Sequence, residues 1–386
     1  MQVGLISYGL DRPLTGIGRY TVELARALAD LENRPGVTLL AAGGVGPLAG
    51  QNGLRSVPLP GCRLLPGLVT LGNVLIPRLA RRYELDIVHD PTGVAPFVFD
   101  VRARSIVTVH DVFAWSFPGS STLMDTLIQR IWLPRRLPQV DAVITDSLAS
   151  QKDLSHYLGI PGPMIHVIPL AASSQYLPAP LAQVAAARSR YGLPEHYIPY
   201  VGSLVKRKNL LGLLRSYARL RASEQPLPLV VVGVERSDRG AIAETLAELD
   251  LGSDLVFAGH VADEDLPAVY SGAKLFVFPC LYEGFGLPPL EAMACGTPVV
   301  CSNTSSLPEV VGQAAVSVDP NDIEALAEAM QRVAADADLQ EDLRRRGLER
   351  AAGFTWERTA RETVGVYHQV LEAQAGRAGR REDRSA

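Results

Sequence analysis

The sequence predicts an α/β fold built from two doubly wound domains, each a parallel sheet with helices on both faces. Three observations carry that prediction. Short apolar runs alternate with helical stretches from end to end, the order that produces parallel strands joined by crossover helices. The 386 residues exceed one ordinary domain and suit two of roughly 170–190 residues. With 47% hydrophobic residues there is material for two cores, and 34 Gly with 28 Pro suit many short strand–helix connections.

In order along the chain, strands are expected at 2–7, 37–42, 86–89, 105–109, 141–145 and 164–168 for the first domain, spanning 1–172. The second, 195–355, takes strands at 197–202, 228–233, 254–258, 274–278, 297–301 and 314–318. Residues 173–194 hold Pro-containing turns and one Ala-rich helical piece, the expected linker. A helix over 356–375 follows the last strand, and the polar, Arg-rich stretch 376–386 is expected to be disordered. Two such sheets facing each other leave a cleft lined by the C-terminal ends of strands, where ligands of open α/β folds sit.

Charge and cysteine usage narrow the function. The net charge of −4 gives no general push toward nucleic acid, and no nucleic-acid partner is expected. Residues 1–172 carry +2 and the remainder −6, so the first domain suits an anionic surface better. Cys62, Cys280, Cys295 and Cys301 form no CxxC pair, which points to buried thiols in a reducing compartment. The chain runs straight into the strand at Val3–Ser7, without a leader pattern, and holds no apolar run of membrane-spanning length. A cytoplasmic protein is expected.

The most informative stretch is Glu283-Gly-Phe-Gly-Leu-Pro-Pro-Leu-Glu291. Phe276-Val-Phe278 reads as a buried strand that breaks at Pro279 and turns through Gly284 and Gly286. Pro288 and Pro289 suit the first helical positions, where a missing N–H costs nothing, and Gly296 suits the stop. The free amides and positive end of such a helix favour an anion. Glu291 is expected in the first turn, placed to accept two vicinal hydroxyls, with Glu283 facing the same hollow. Either Glu alone is an ordinary helix-end charge, but the group suits a diphosphate, a ribose and a hexose together.

Glu283 to Val300 resembles, almost residue for residue, the signature of retaining family-4 glycosyltransferases of the GT-B fold, two Rossmann-like domains facing across a cleft. The resemblance implies a nucleotide-diphosphate sugar donor held in part by Gly284, Phe285, Gly286, Leu287 and Glu291. Gly202-Ser-Leu-Val-Lys-Arg-Lys-Asn209 ends a strand beside a helix N-terminus, where cations reinforce the anion preference. By resemblance Arg207 and Lys208 meet the donor diphosphate, with Ser203 standing where many relatives carry Arg. Thr15-Gly-Ile-Gly-Arg-Tyr20 precedes an expected helix at Thr21–Ala29, and its Gly16 and Gly18 match a loop that approaches the donor phosphates. The backbone at Val261 matches the position that holds the nucleobase.

His110 ends a strand of the first domain, and the resemblance places it against the transferred sugar, with Asp111 orienting it or binding acceptor. His110, Asp111 and Glu283 form the expected catalytic group, and His89, at a second strand end, is expected on the acceptor side. Asp263-Glu-Asp265 is similar to a metal-binding D-x-D, but its setting reads as a capped helix start, so no metal and no cofactor are expected. Nothing suggests the paired nucleophile and acid of a retaining glycosidase. The family implies front-face transfer, the leaving diphosphate taking the acceptor's proton. Ser306–Val310 and the Arg-Lys-Asn loop resemble bacterial mannosyl- and rhamnosyltransferases, which favours GDP-mannose and a glycan or lipid-linked acceptor in polysaccharide assembly. A GT-B nucleotide-sugar 2-epimerase and a non-catalytic sugar-nucleotide-binding subunit are the alternatives. Leu123, Leu127, Ile131 and Trp132 beside Arg130, Arg135 and Arg136, and Leu75 to Arg82, suit either a peripheral membrane contact or helices packed onto the sheet.

Overall fold

A computed structural model describes every residue except 100, 119–121, 222–226, 235–238 and 383–386, and the side chains of 239 and 374–382 are likewise not described. The chain divides into two units: Met1–Trp115, Ser121–Leu170 and Thr355–Ala386 form the first, Ser116–Ser120 and Ala171–Phe354 the second.

Unit 1 contains β1 (Gln2–Tyr8), β2 (Gly36–Ala42), β3 (Leu54–Pro58), β4 (Ile87–Asp90), β5 (Arg104–Thr108), β6 (Ala142–Thr145) and β7 (Ile165–Val167). They form one parallel sheet in the order β3-β2-β1-β4-β5-β6-β7. β1 is an interior strand, with Leu5 opposite Leu39 on one side and His89 on the other. Helices cover both faces of such a sheet, so its strands are apolar without alternation, and Val3, Leu5 and Ile6 are fully buried. β3 escapes the sequence pattern because it is an edge strand: Arg55 and Ser56 are exposed, only Val57 is buried, and Pro58 closes it.

The long helix Trp356–Glu382 belongs to this unit and packs against the helix Gly16–Asp30. Thr359 Oγ1 donates to the Pro169 carbonyl at 2.8 Å. Its backbone stays helical to Glu382, past residue 375 where the sequence reading ends it. Ala, Arg and Glu are strong helix formers, and each of the two glycines there costs only about 1 kcal/mol; residues 383–386 lie outside the described part.

Unit 2 contains β8 (Ile198–Val201), β9 (Leu229–Val232) and β10 (Leu255–Gly259), then β11 (Phe276–Phe278), β12 (Val299–Ser302) and β13 (Val316–Val318). Two parallel three-stranded sheets, β10-β9-β8 and β11-β12-β13, meet where the Lys274 N–H donates to the Tyr197 carbonyl at 3.0 Å. β8 and β9 end in a close backbone approach: a Cβ on Gly233 would stand 1.9 Å from the Gly202 carbonyl oxygen, so only glycine fits. Residues 173–194, read as a linker, belong to unit 2, and the helix Leu181–Tyr191 buries Val184 and Ala187. All four cysteines are free and buried. Among the described residues no helix is long and apolar enough to cross a membrane.

Candidate active site

The loops after β8 and β11 bring the basic and acidic motifs of unit 2 into one buried group. After β8 the chain makes a single 3-10 turn, Lys206–Lys208, and stops at Asn209, whose φ of 57° is left-handed. Asn tolerates that conformation better than most residues. Its side chain then does two jobs, accepting the Gly212 N–H to cap the helix Leu210–Leu220 and donating to the Pro320 carbonyl at 2.8 Å. The turn is tied to the β11 loop by the Leu281 N–H, which donates to the Arg207 carbonyl at 2.8 Å.

Across that tie Glu283 Oε2 accepts from both Lys208 Nζ and, at 3.2 Å, Arg207 Nη1. Lys208 is almost fully buried, with its ammonium over the Phe278 ring at 4.8 Å from the centroid, a cation–π placement. Burial pushes the Glu283 carboxyl up, but Lys208 and then Arg207 outweigh it and hold the group below its ordinary value. Glu283 is therefore an anion at neutral pH, and its first partners are the two cations read as diphosphate ligands.

The Glu-Gly-Phe-Gly loop is fixed by a hydroxyl pair the sequence reading passed over. Ser305 Oγ accepts the Glu283 N–H at 3.0 Å, and Ser306 Oγ lies 2.8 Å from the Glu283 carbonyl and 2.7 Å from that of Phe285. Phe285 packs edge-on to Phe354. Gly286 has φ 118° and precedes the helix Leu287–Ala294, with Pro288 in its first turn. Glu291 lies one turn further in than expected, because the helix begins at Leu287. It is buried and accepts from the Tyr270 hydroxyl at 3.1 Å. Tyr270 is a second residue missed; it sits in a run, Leu266–Ser271, whose apolar pattern reads only as packing.

Elsewhere in unit 2, Ser203 is half-buried, its carbonyl 3.4 Å from the Tyr200 hydroxyl, and Val261 is buried just past β10. Asp265 stands at the start of the helix Leu266–Ser271 but does not cap it. Its carboxylate instead meets Arg190 Nη1 and the Tyr191 hydroxyl, both at 2.7 Å, which corrects the capped-start reading. Among the described residues no group of three His, Cys, Asp or Glu is placed to hold a metal ion. A pocket of about 240 Å³ lies beside the basic turn, lined by Lys206, Asn209, Arg215 and Leu281 but by none of Arg207, Lys208 or Glu283.

In unit 1, the motif Thr15–Tyr20 forms the first turn of its helix instead of preceding it: Thr15 Oγ1 accepts the Gly18 N–H and the helix starts at Gly16. A Cβ at Gly16 would meet open space, whereas one at Gly18 would press on Leu14 at 3.2 Å. His110 lies two residues past β5 and Asp146 one residue past β6, neighbours in register: Thr108 pairs Ile144, so His110 falls beside Asp146. Nδ1 of His110 lies 2.7 Å from Asp146 Oδ2, and Nε2 lies 3.0 Å from the Pro91 carbonyl. Burial pulls the imidazole down, but Asp146 foremost, with Pro91 and Asp111, raises it above its ordinary value. Asp111 is half-buried and accepts the Phe113 N–H at 3.4 Å.

His89 does not line an acceptor surface. It is fully buried, Nδ1 at 2.7 Å from the Tyr367 hydroxyl and Nε2 at 2.8 Å from Thr108 Oγ1, which in turn meets the Tyr20 hydroxyl at 3.0 Å. Burial, with His110 adding to it, lowers the imidazole to about 3, so the ring is neutral. His89 fastens the long C-terminal helix to the sheet.

With the geometry in hand, comparison with known proteins assigns the class. The sequence pattern of a family described as Glycosyltransferase Family 4 matches residues 14–173, and that described as Glycosyl transferases group 1 matches 186–350. The chain belongs to the family-4 glycosyltransferases of the GT-B fold and is a hexosyltransferase. It is 32% identical to O-antigen chain mannosyltransferase B of Escherichia coli, over 95% of this chain and 99% of that one. It is also 32% identical to the MMP alpha-(1->4)-mannosyltransferase of Mycolicibacterium hassiacum, over 75% of this chain and 72% of the other. Among solved structures, sucrose-phosphate synthase from Thermosynechococcus elongatus superposes with a TM-score of 0.78 at 25% identity, covering 96% of this chain and 99% of that one.

Proposed function

We propose that the enzyme is a retaining mannosyltransferase, taking mannose from GDP-mannose and passing it to a glycan or lipid-linked glycan acceptor in polysaccharide assembly. The observation that carries the donor half of this reading is the buried group of Arg207, Lys208 and Glu283. Two cations held on one carboxylate are pre-oriented, so little reorganisation is needed when negative charge grows on a leaving diphosphate. Glu283, kept ionised, accepts hydroxyls and is no proton donor. Glu291, held by Tyr270, takes the ribose hydroxyls. The amides of Gly284, Phe285, Gly286 and Leu287 and the backbone at Val261 and Ser203 complete the donor contacts. In unit 1 the family resemblance supports Gly16 and Gly18 as phosphate-binding residues, and His110 with Asp111 as residues that meet the transferred sugar. The choice of mannose and of a polysaccharide acceptor rests on the names of the two mannosyltransferases above.

A peripheral membrane contact forms part of the proposal. Leu123, Leu127 and Ile131 are exposed, which helices packed onto the sheet by that stripe would not leave. Trp132 Nε1 donates to the Val94 carbonyl at 2.7 Å, and Asn73 Oδ1 accepts the Val98 N–H at 2.6 Å. These bonds gather exposed Leu71, Val74, Val98 and Phe99 into the same region of unit 1. Arg78, Arg81, Arg82 and Arg135 are exposed on the same segments. Apolar groups flanked by arginines suit an anionic lipid surface.

The test is a transfer assay with a panel of nucleotide sugars and mannose-bearing acceptors, run in EDTA. Mannose transfer from GDP-mannose with retention at the anomeric carbon is expected. Transfer of another sugar, inversion, or a strict need for added divalent metal would overturn the corresponding part. Lys208→Ala is expected to lower kcat more than the donor KM changes.

A further inference from the structure

His110 presents two ring nitrogens, and both face oxygens. The Pro91 carbonyl, 3.0 Å from Nε2, can only accept, so Nε2 carries a proton. The second proton lies between Nδ1 and Asp146 Oδ2, 2.7 Å apart. It rests on the more basic partner, and imidazole ordinarily titrates near ~6.5 against ~3.9 for an Asp carboxyl. Asp146 raises the imidazole against the pull of burial, and burial raises the Asp146 carboxyl.

We propose that Asp146 is a positioning residue that holds His110 as an imidazolium with both N–H groups committed, so that His110 works by charge and shape and not as a general base. The proposal rests on the reading of His110 as part of the transferase site, and it deepens that reading. If His110 has no free lone pair, the acceptor's proton leaves on another group, as transfer with proton uptake by the leaving diphosphate requires.

The ring is held from every side. Tyr20, from the helix Gly16–Asp30, sets its edge against it at 4.7 Å between centroids and an interplanar angle of 80°. Ser150 Oγ donates to the His110 carbonyl at 3.0 Å and fixes the backbone. The charged and titratable groups around it are Asp146 just after β6, Asp111 from its own turn, Tyr20 and the neutral His89 on β4. Asp146 is itself 2% exposed, and among the described residues its Oδ1 has no hydrogen-bond partner, so the ring is the hydrogen-bond partner of its Oδ2.

Nitrogen-15 NMR of the full chain with labelled histidine decides this, the His110 signals being assigned by their loss in His110→Gln. Both His110 nitrogens are expected to be protonated at neutral pH. Asp146→Asn should lower the titration midpoint by about one to three pH units, the size expected for losing an adjacent opposite charge. Asp146→Glu should restore it in part, and the alkaline limb of kcat should move with the midpoint across the three proteins. One unprotonated ring nitrogen at neutral pH in the wild type, or an unmoved midpoint in Asp146→Asn, would overturn the proposal. The wild-type spectrum decides even if a variant fails to fold. Because the spectra need no sugar nucleotide, a protonated ring whose loss leaves transfer intact would count against His110's place in the site and not against the pairing.

Discussion

At the scale of single residues, the loop that carries Glu283 is governed by buried charge. Glu283 holds two cations, and removing one member of such a group leaves uncompensated charge in a poorly solvated place, at a cost of about 3–5 kcal/mol. Glu283→Gln is therefore expected to lower the unfolding free energy at neutral pH by that order, read from chemical denaturation. The pH dependence has a definite sign. Its folded pKa lies below the unfolded one, so its contribution is present above about pH 4.3 and is lost as pH falls through the folded value. Glu283→Gln should flatten that acid limb in chemical denaturation; an unchanged slope would mean the ion group does not stabilise the fold. Glu291 makes a second case. Hydrogen bonds to a carboxylate contribute about 1.5–3 kcal/mol, so Glu291→Ala should weaken nucleoside diphosphate binding by roughly ten- to a hundredfold. Tyr270→Phe should weaken it less, because it removes one partner of the carboxylate and leaves the carboxylate itself. Calorimetric affinities within twofold of wild type in both variants would remove Glu291 from the ribose.

At the scale of elements, strands buried on both faces were legible because they are short continuous apolar runs, whereas β3 was not, since this edge strand buries one residue in five and carries Arg and Ser in its middle. The segment after Leu123 shows another limit. Its helical spacing was plain, but Ile128–Trp132 is a π turn, in which the Leu133 N–H reaches back to the Ile128 carbonyl. Pro134 follows with no N–H to give, and the Gln129 carbonyl is taken instead by Trp115 Nε1 at 2.9 Å. The long C-terminal helix is tied to the sheet by a buried polar contact between Tyr367 and His89. Tyr367→Phe strips the hydroxyl from His89 Nδ1 and should cost about 1–3 kcal/mol, the penalty of an unpaired buried polar group. Proteolysis rates under native conditions should rise at that helix first. Unchanged stability would show that the His89–Tyr367 bond is dispensable.

For the whole molecule, the charge split read from the sequence and the exposed apolar groups of unit 1 lead to the same experiment. Each exposed arginine near an anionic leaflet contributes about 1 kcal/mol, and the attraction weakens with salt. Sedimentation with anionic and neutral liposomes should show binding to the former only, reversed at high ionic strength. Replacing Leu127 and Ile131 with Ser, and separately Arg81 and Arg82 with Gln, should each weaken it. Binding that ignores lipid charge and salt, or none at all, would leave the exposed apolar groups without a lipid partner.

The sequence by itself determined the two parallel-sheet units, the existence of a helix after the Gly-rich turn, and the kinds of residue that gather after β8 and β11. Those features are local: apolar runs, Gly and Pro positions, and a contiguous stretch from Glu283 to Val300. Only the tertiary structure decided what each charged or titratable group faces. Lys208 and Glu283 stand 75 residues apart and meet because the β8 and β11 loops are tied together. His110 finds Asp146 through a strand register 36 residues long, and His89, alike in sequence, is sealed under a helix 278 residues further on. Burial and partner set the protonation of a histidine, and both come from elements far off in the chain.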